Sequence, residues 1–224
     1  MRLFSTKKRP VHMGPYPTER LKRGRMPDLN EVPPMCALSF RRPEAPESIV
    51  NAMCEYQAML DAIRDGMINK AVSEIPVDPK ERTDHLKAFG FFSDASMVGV
   101  CRLQDTDLLS KPFNNPDIAH LAEALRTRQT KTLAAGIDGI MADLKESMEA
   151  PPTTINGHTH ALIFLYENPR DIRSDEPGTD WLKDALSHRA CLRANETAAV
   201  IANYIRLLGY DAKSHSGSAS DVDL

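Results

Sequence analysis

From Ser48 onward, apolar residues recur every three or four positions. Ile49, Met53, Tyr56, Leu60, Ile63 and Met67 form one helical stripe within "PESIVNAMCEYQAMLDAIRDGMINKA", and Ser48 stands where an N-cap belongs. The stripe predicts a packing helix whose methionines fill core gaps rather than hold a cofactor. "DPKERTDHLKAFGFFSDASMVGVCRLQ" predicts a second helix closing at Gly90. A turn at Ser93 and Asp94 follows, then a strand through Met97, Val98, Val100 and Leu103. In "NNPDIAHLAEALR", Asn115 is placed to cap a helix with Pro116 at its first position. "TKTLAAGIDGIMADLKESMEA" puts Leu133, Ile137, Ile140 or Met141, Leu144 and Met148 on one face, and Pro151 and Pro152 end it.

"GHTHALIFLYE" breaks this rhythm with an unbroken apolar run from Ala161 to Tyr166, which predicts a strand covered on both faces. Helices alternating with apolar strands make the chain α/β, with layers rather than a bundle. "PGTDWLKDALSHRACLRANETAAVIANYIRLLG" fits one long helix or two shorter ones. Its last part runs from Glu196 to Leu208, and Gly209 sits where a left-handed C-cap would. "YDAKSH" is then a candidate strand, and "SGSASDVDL" a loop or the lead into another helix.

Composition changes the picture at the N-terminus. The net charge is −3, yet residues 1–42 hold ten Lys/Arg against three Asp/Glu. Prolines at 10, 15, 17, 27, 33, 34, 43 and 46 suit an extended course, so residues 1–46 are expected to form a basic Pro-rich arm and residues 47–224 the α/β domain. An arm packed on its own acidic body is favoured over a nucleic-acid contact, because no aromatic-interleaved RNA motif or helix-turn-helix pattern accompanies the charge. No run of about 18 apolar residues predicts a membrane helix. The opening segment carries neither a secretory nor a twin-arginine pattern, so the expected location is the cytoplasm.

The chemistry-bearing residues are sparse. Cys36, Cys54, Cys101 and Cys191 are scattered without a C-x-x-C pair, which predicts buried free thiols rather than a zinc or iron-sulfur site. Neither G-x-x-x-x-G-K-[ST] nor G-x-G-x-x-G occurs, and "GSAS" at Gly217 is no hydrolase elbow. His158 and His160 would share one side of a strand, but no third metal ligand is assignable, and hydrogen-bonded histidines are the expectation. His188, His215 and Cys191 announce no Cys-His pattern, and Asp221 and Asp223 read as loop acids. No catalytic residue is assigned. In "SHSGSAS", small hydroxyl residues around a glycine let backbone N–H groups approach a polar ligand, so Ser216, Gly217 and Ser218 are the candidate cofactor-binding residues. A flexible tail is the other reading of the same segment.

"HLKAFGFFSDASMVGVCRL", "HALIFLYE" and "ETAAVIANYIRLLGYDAKSHSGSASDVDL", in that order, resemble the front part of corrinoid-dependent reductive dehalogenases. "RLFSTKKRPVHMGPYPTERL" is similar to the opening of their cytoplasmic, non-exported branch, and related helix-to-strand units occur in epoxyqueuosine reductases. The resemblance implies a nitroreductase-like cobalamin-binding α/β fold, incomplete at its C-terminus here. It also implies two iron-sulfur clusters feeding electrons to cobalt, and reductive removal of halide from an organohalide substrate. The family's C-x-x-C-x-x-C-x-x-x-C-P run is missing from this chain. The resemblance therefore implies an N-terminal segment, inactive alone, whose partner is a downstream cluster-binding region or a second polypeptide. A non-catalytic α/β interaction protein of the same fold is the alternative, with its sheet edge engaging another chain.

Overall fold

The computed structural model describes residues 48–127, 157–167, 173, 175–182 and 185–224. The basic arm, Cys36 and the helix predicted over 130–150 lie outside the described residues. The described chain is mixed α/β. Helices α1 (Ile49–Ala62) and α2 (Pro79–Phe92) lead to strand β1 (Met97–Arg102), a 3-10 turn at Asp105–Asp107, strand β2 (Leu108–Phe113) and helix α3 (Asp117–Thr127). Strand β3 (His160–Leu165), the one-turn helix α4 (Thr179–Leu182), the long helix α5 (Leu186–Leu207) and strand β4 (Ser220–Val222) follow.

The strands form two antiparallel pairs. β1 pairs with β3 from Met97 opposite Leu165 to Arg102 opposite His160. β2 pairs with β4, with Leu108 opposite Val222 and Phe113 opposite Ser220 and an irregularity between them. Strand period two puts Val98, Leu162 and Phe164 on one face of the first ribbon. There they pack with Phe91 and Ala95 from the end of α2, and with Tyr166. The other face carries Met97, Ile163 and Leu165, all exposed. β3 is thus covered on one face among the described residues, against the expectation of burial on both. Its continuous apolar run leaves a second face that only another layer could cover.

Caps fix several helix ends as their residues predict. Ser48 Oγ accepts from Val50 N at 3.3 Å, Asp78 Oδ1 from Lys80 N at 2.9 Å and Asn115 Oδ1 from Asp117 N at 2.9 Å. α5 ends in a Schellman turn. Tyr210 N donates to Ile205 O at 3.2 Å and Gly209 N to Arg206 O at 3.0 Å, with Gly209 at φ +88°. A Cβ on Gly209 would stand 2.6 Å from Ala71 O, so both conformation and space demand glycine.

Four expectations are corrected. α1 stops at Ala62 and turns Val50, Cys54, Gln57, Ala58, Asp61 and Ala62 inward, while Ile49, Tyr56, Ile63 and Met67 of the predicted stripe are exposed. The buried stripe is mixed because its lower half meets polar groups rather than a hydrophobic core. α2 does not close at Gly90 but at Phe92, with Ser93 as its C-cap. Residues 210–215 are not a strand; Ser214 N is drawn to Arg64 O at 2.9 Å instead. "SGSASDVDL" is neither helix lead nor loop alone, because Ser216 and Ala219 bridge around Gly217 and Ser218 and β4 follows.

Gly90 has a packing role that its helix-ending reading missed. An added Cβ would lie 2.6 Å from Phe164 Cε1 and 2.7 Å from Val98 Cγ2, inside the van der Waals limit of a packed ring and a β-branched side chain. Gly90→Ala is therefore expected to destabilise the chain by ~1–3 kcal/mol in urea unfolding. Gly99→Ala, whose Cβ meets nothing within 4 Å, should stay within ~0.5 kcal/mol of the parent. Equal losses from the two would contradict this packing account.

Candidate functional site

Asp61 is 3 % exposed in the last turn of α1, where the helix dipole disfavours an anion. Hydrogen bonds from four parts of the chain offset that placement. On Oδ1 it accepts from Asn195 Nδ2 at 2.7 Å, Ser216 Oγ at 2.8 Å and, more loosely, Gln57 Nε2 at 3.4 Å. On Oδ2 it accepts from Ser218 Oγ at 2.6 Å and Asn115 Nδ2 at 2.8 Å. α1, the β2–α3 loop, α5 and the terminal hairpin thus converge on one carboxylate.

The hairpin serines are used up in this arrangement. Ser216 donates to Asp61 and its oxygen accepts from Ser218 N at 3.3 Å and Ala219 N at 3.1 Å, closing the turn. Ser218 donates to Asp61 and accepts from Gln57 Nε2 at 2.9 Å. Of the three residues singled out in the sequence, Gly217 and Ser218 line a cleft of about 170 Å³. Ser216 lies behind them, holding the turn. Met53, Cys54, Phe113, Asn114 and His188 complete much of the lining. The segment is an ordered turn fastened to α1, not a tail.

A second polar centre lies one helical turn beyond Asp61. Arg64 Nη2 donates to Asp221 Oδ1 and to Asn114 Oδ1, each at 3.0 Å. Lys213 Nζ stands 2.6 Å from Asp221 Oδ2, so one buried carboxylate bridges two cations. Burial pushes the Asp221 carboxyl up, but Lys213 and Arg64 outweigh it and hold the group below its ordinary range. His215 lies beside this centre and accepts from Asp221 N at 3.2 Å through Nδ1. Burial, with Arg64, Lys213 and His158 adding to it and Asp221 opposing, brings the imidazole down to about 4.

The other candidates separate. His158 Nε2 contacts Asp211 Oδ2 at 3.0 Å, whereas His160 Nδ1 faces Thr159 Oγ1 at 2.8 Å. Among the described residues no group of three or more His, Cys, Asp or Glu could hold a metal ion. Cys54 is buried and Cys191 partly so, but Cys101 is exposed, because it falls on the uncovered face of β1. Asp221 belongs to the buried ion centre rather than to a solvated loop, while Asp223 is exposed. Tyr166 caps the ribbon: its hydroxyl donates to Ser93 O at 2.9 Å and accepts from Thr197 Oγ1 of α5 at 2.5 Å. Burial raises the phenol, although the Thr197 contact and Arg193 oppose it. Among the described residues no helix is long and apolar enough to cross a membrane.

No family model matches the chain, and no curated protein matches it. Solved structures do. A reductive dehalogenase whose structure was described as suggesting a mechanism for B12-dependent dehalogenation shares 30% identity over 100% of this chain and 25% of its own, with a TM-score of 0.59. The catabolic reductive dehalogenase NpRdhA in complex with 3-bromo-4-hydroxybenzoic acid shares 29% identity over 100% of this chain and 26% of its own, with a TM-score of 0.61. The chain is similar to reductive dehalogenases. It spans about a quarter of the length of the reductive dehalogenases it matches. The Asp61 centre was not legible as a site, since its donors are ordinary Asn, Gln and Ser residues separated by up to 157 positions.

Asp61→Asn replaces an acceptor oxygen with a donor facing Ser218 and Asn115 or Ser216 and Asn195. A loss of ~3–5 kcal/mol is expected by chemical denaturation, in line with breaking a buried charged network. Ser218→Ala, which removes one donor, should cost ~1–2 kcal/mol. Parity between the two variants would show that Asp61 is not the centre of the network.

Proposed function

We propose that this chain is the N-terminal segment of a corrinoid- and iron-sulfur-dependent reductive dehalogenase, acting on an organohalide only when joined by a cluster-binding region. The observation that carries the reading is 29–30% identity to solved reductive dehalogenases along the whole of the described sequence, with TM-scores of 0.59–0.61. The three-quarters of those proteins beyond the match is where the cluster ligands would belong, because the four cysteines here have no cluster spacing. The missing region is either continuous with this chain or a second polypeptide. The resemblance of residues 2–21 supports the non-exported branch, and a cytoplasmic location goes with it.

Cobalamin is the implied cofactor, and the cleft tests it. About 170 Å³ falls below the ~300–1,000 Å³ of ordinary small-molecule sites, so the described residues do not enclose a corrinoid. They fit the group only as one wall, with Gly217 and Ser218 at the rim and Ser216 holding their turn. Cobalt and clusters would supply the redox chemistry, and this chain's contribution would be a rigid polar edge that orients what binds beside it. The nitroreductase-like layered fold would be completed by the same missing region, whose elements would cover the bare face of β1 and β3.

Two measurements test the reading. The nucleotide sequence after the codon for Leu224 should encode the clustered cysteines, in the same frame or a neighbouring gene. The purified chain mixed with hydroxocobalamin should lose corrinoid absorbance on gel filtration when alone and retain it when the cluster-binding polypeptide is added. If the complete mixture retains none, cobalamin binding is excluded. A downstream sequence without clustered cysteines would leave the non-catalytic interaction protein as the reading.

A further inference from the structure

The terminal hairpin is fastened to α1 by two kinds of bond. Ser216 and Ser218 reach the Asp61 carboxylate, and Asp221 on β4 reaches Arg64 just past the end of α1. His215 precedes Ser216 and lies beside the Asp221–Arg64–Lys213 centre. Its Nδ1 faces the backbone N–H of Asp221, a donor that cannot reverse its role. An imidazole nitrogen that accepts a hydrogen bond carries no proton, so the ring is neutral with its hydrogen on Nε2.

Protonation at Nδ1 would set one donor against another. It would also add a cation to a centre that already holds Arg64 and Lys213. Asp221, the carboxylate within that centre, already serves both, Arg64 at 3.0 Å and Lys213 at 2.6 Å. Lys213 also lies 3.9 Å from Asp65 in the loop after α1. From the segment before β3 comes His158, which is itself paired with Asp211. Asp221 alone favours an imidazolium here, and burial with Arg64, Lys213 and His158 outweighs it.

We propose that His215 is an acid-sensitive latch within the hairpin: a proton taken up at Nδ1 breaks the bond from Asp221 N–H that joins the hairpin's two sides and sets a third cation beside Arg64 and Lys213, which loosens residues 214–222. The loosened turn carries Gly217 and Ser218, which line the cleft. The step consumes one proton from solvent, breaks one hydrogen bond and changes no oxidation state. It goes beyond the dehalogenase reading and stands whether or not a corrinoid binds.

The direction follows from linkage. The latched ring is held at about 4 against an ordinary 6.5, so the latched form binds fewer protons than the released form. Closure is complete well above pH 6.5 and weakens as pH falls to about 4, by which point the latching equilibrium should have dropped by roughly 150-fold. Asp221, held below its ordinary 3.8, gives up its contribution at still lower pH, so the two responses separate.

Hydrogen exchange on the 224-residue chain from pH 7 to 4, corrected for intrinsic rates, reads the latch. Amides of Ser214, Ala219 and Asp221 should lose protection by up to about 150-fold while those of β1 and β3 hold. His215→Asn keeps an acceptor near Asp221 N–H but does not titrate, and its hairpin protection should stay flat. His158→Asn should keep the acid response. The proposal is overturned if His215→Asn responds as the parent does, if the parent stays flat, or if His158→Asn abolishes the response. Should His215→Asn fail to fold, ring 15N shifts of the parent decide. An Nε2–H tautomer titrating near 4 together with hairpin release supports the latch, and a midpoint near 6.5 overturns it.

Discussion

A buried carboxylate must be answered, and the tertiary arrangement around α1 is that answer. Asp61 sits at the end of a helix that disfavours it, away from water, with five donors on its two oxygens. The donors come from α1 itself, the β2–α3 loop, α5 and the terminal hairpin. Because all five donors meet on one side chain, the positions of these elements are set together. Arg64 repeats the device a turn later with the signs exchanged, a buried cation gathering Asp221 and Asn114.

The fold therefore has two halves with different cement. Around the β1–β3 ribbon, Phe91, Ala95, Val98, Leu162 and Phe164 make a small dry core with close contacts at Gly90. Hydrophobic burial of this kind is indifferent to pH and to charge. Around α1, Val50, Cys54 and Ala185 with Met53 make a smaller apolar cluster, and directional polar bonds take over beyond it. The cleft opens on this second half, where polar residues are already oriented and where charge can change. Tyr166 joins the halves, since its ring belongs to the ribbon core and its hydroxyl reaches α5.

Much of this was readable where local chemistry decides. Ser48, Asn115 and Gly209 cap the helices they were expected to cap, and β1 and β3 lie where their apolar runs stand. The inward face of α1 was missed because periodicity counts apolar residues, and half of that face is Gln57, Asp61 and Arg64. The terminal strand was misplaced because "YDAKSH" has strand-like spacing, yet Ser214, His215 and Lys213 are held by contacts to Arg64 and Asp221 that no local pattern encodes. The Ser216–Ser218 turn was read from its glycine and serines as a ligand-facing segment, whereas both serine hydroxyls face Asp61, a partner more than 150 residues away.

That separation along the chain has a consequence for how the protein is made. During synthesis from the N-terminus, α1 emerges well before the hairpin that completes its carboxylate. α1 cannot take its final seat while Asp61 lacks Asn195, Ser216 and Ser218, since burying the group early would leave the charge unanswered. The ribbon core draws its packed residues from Phe91 to Tyr166 and so can gather before the hairpin is made. Seating of α1 thus waits on a turn more than 150 residues away, and closing so long a loop carries a large entropic cost.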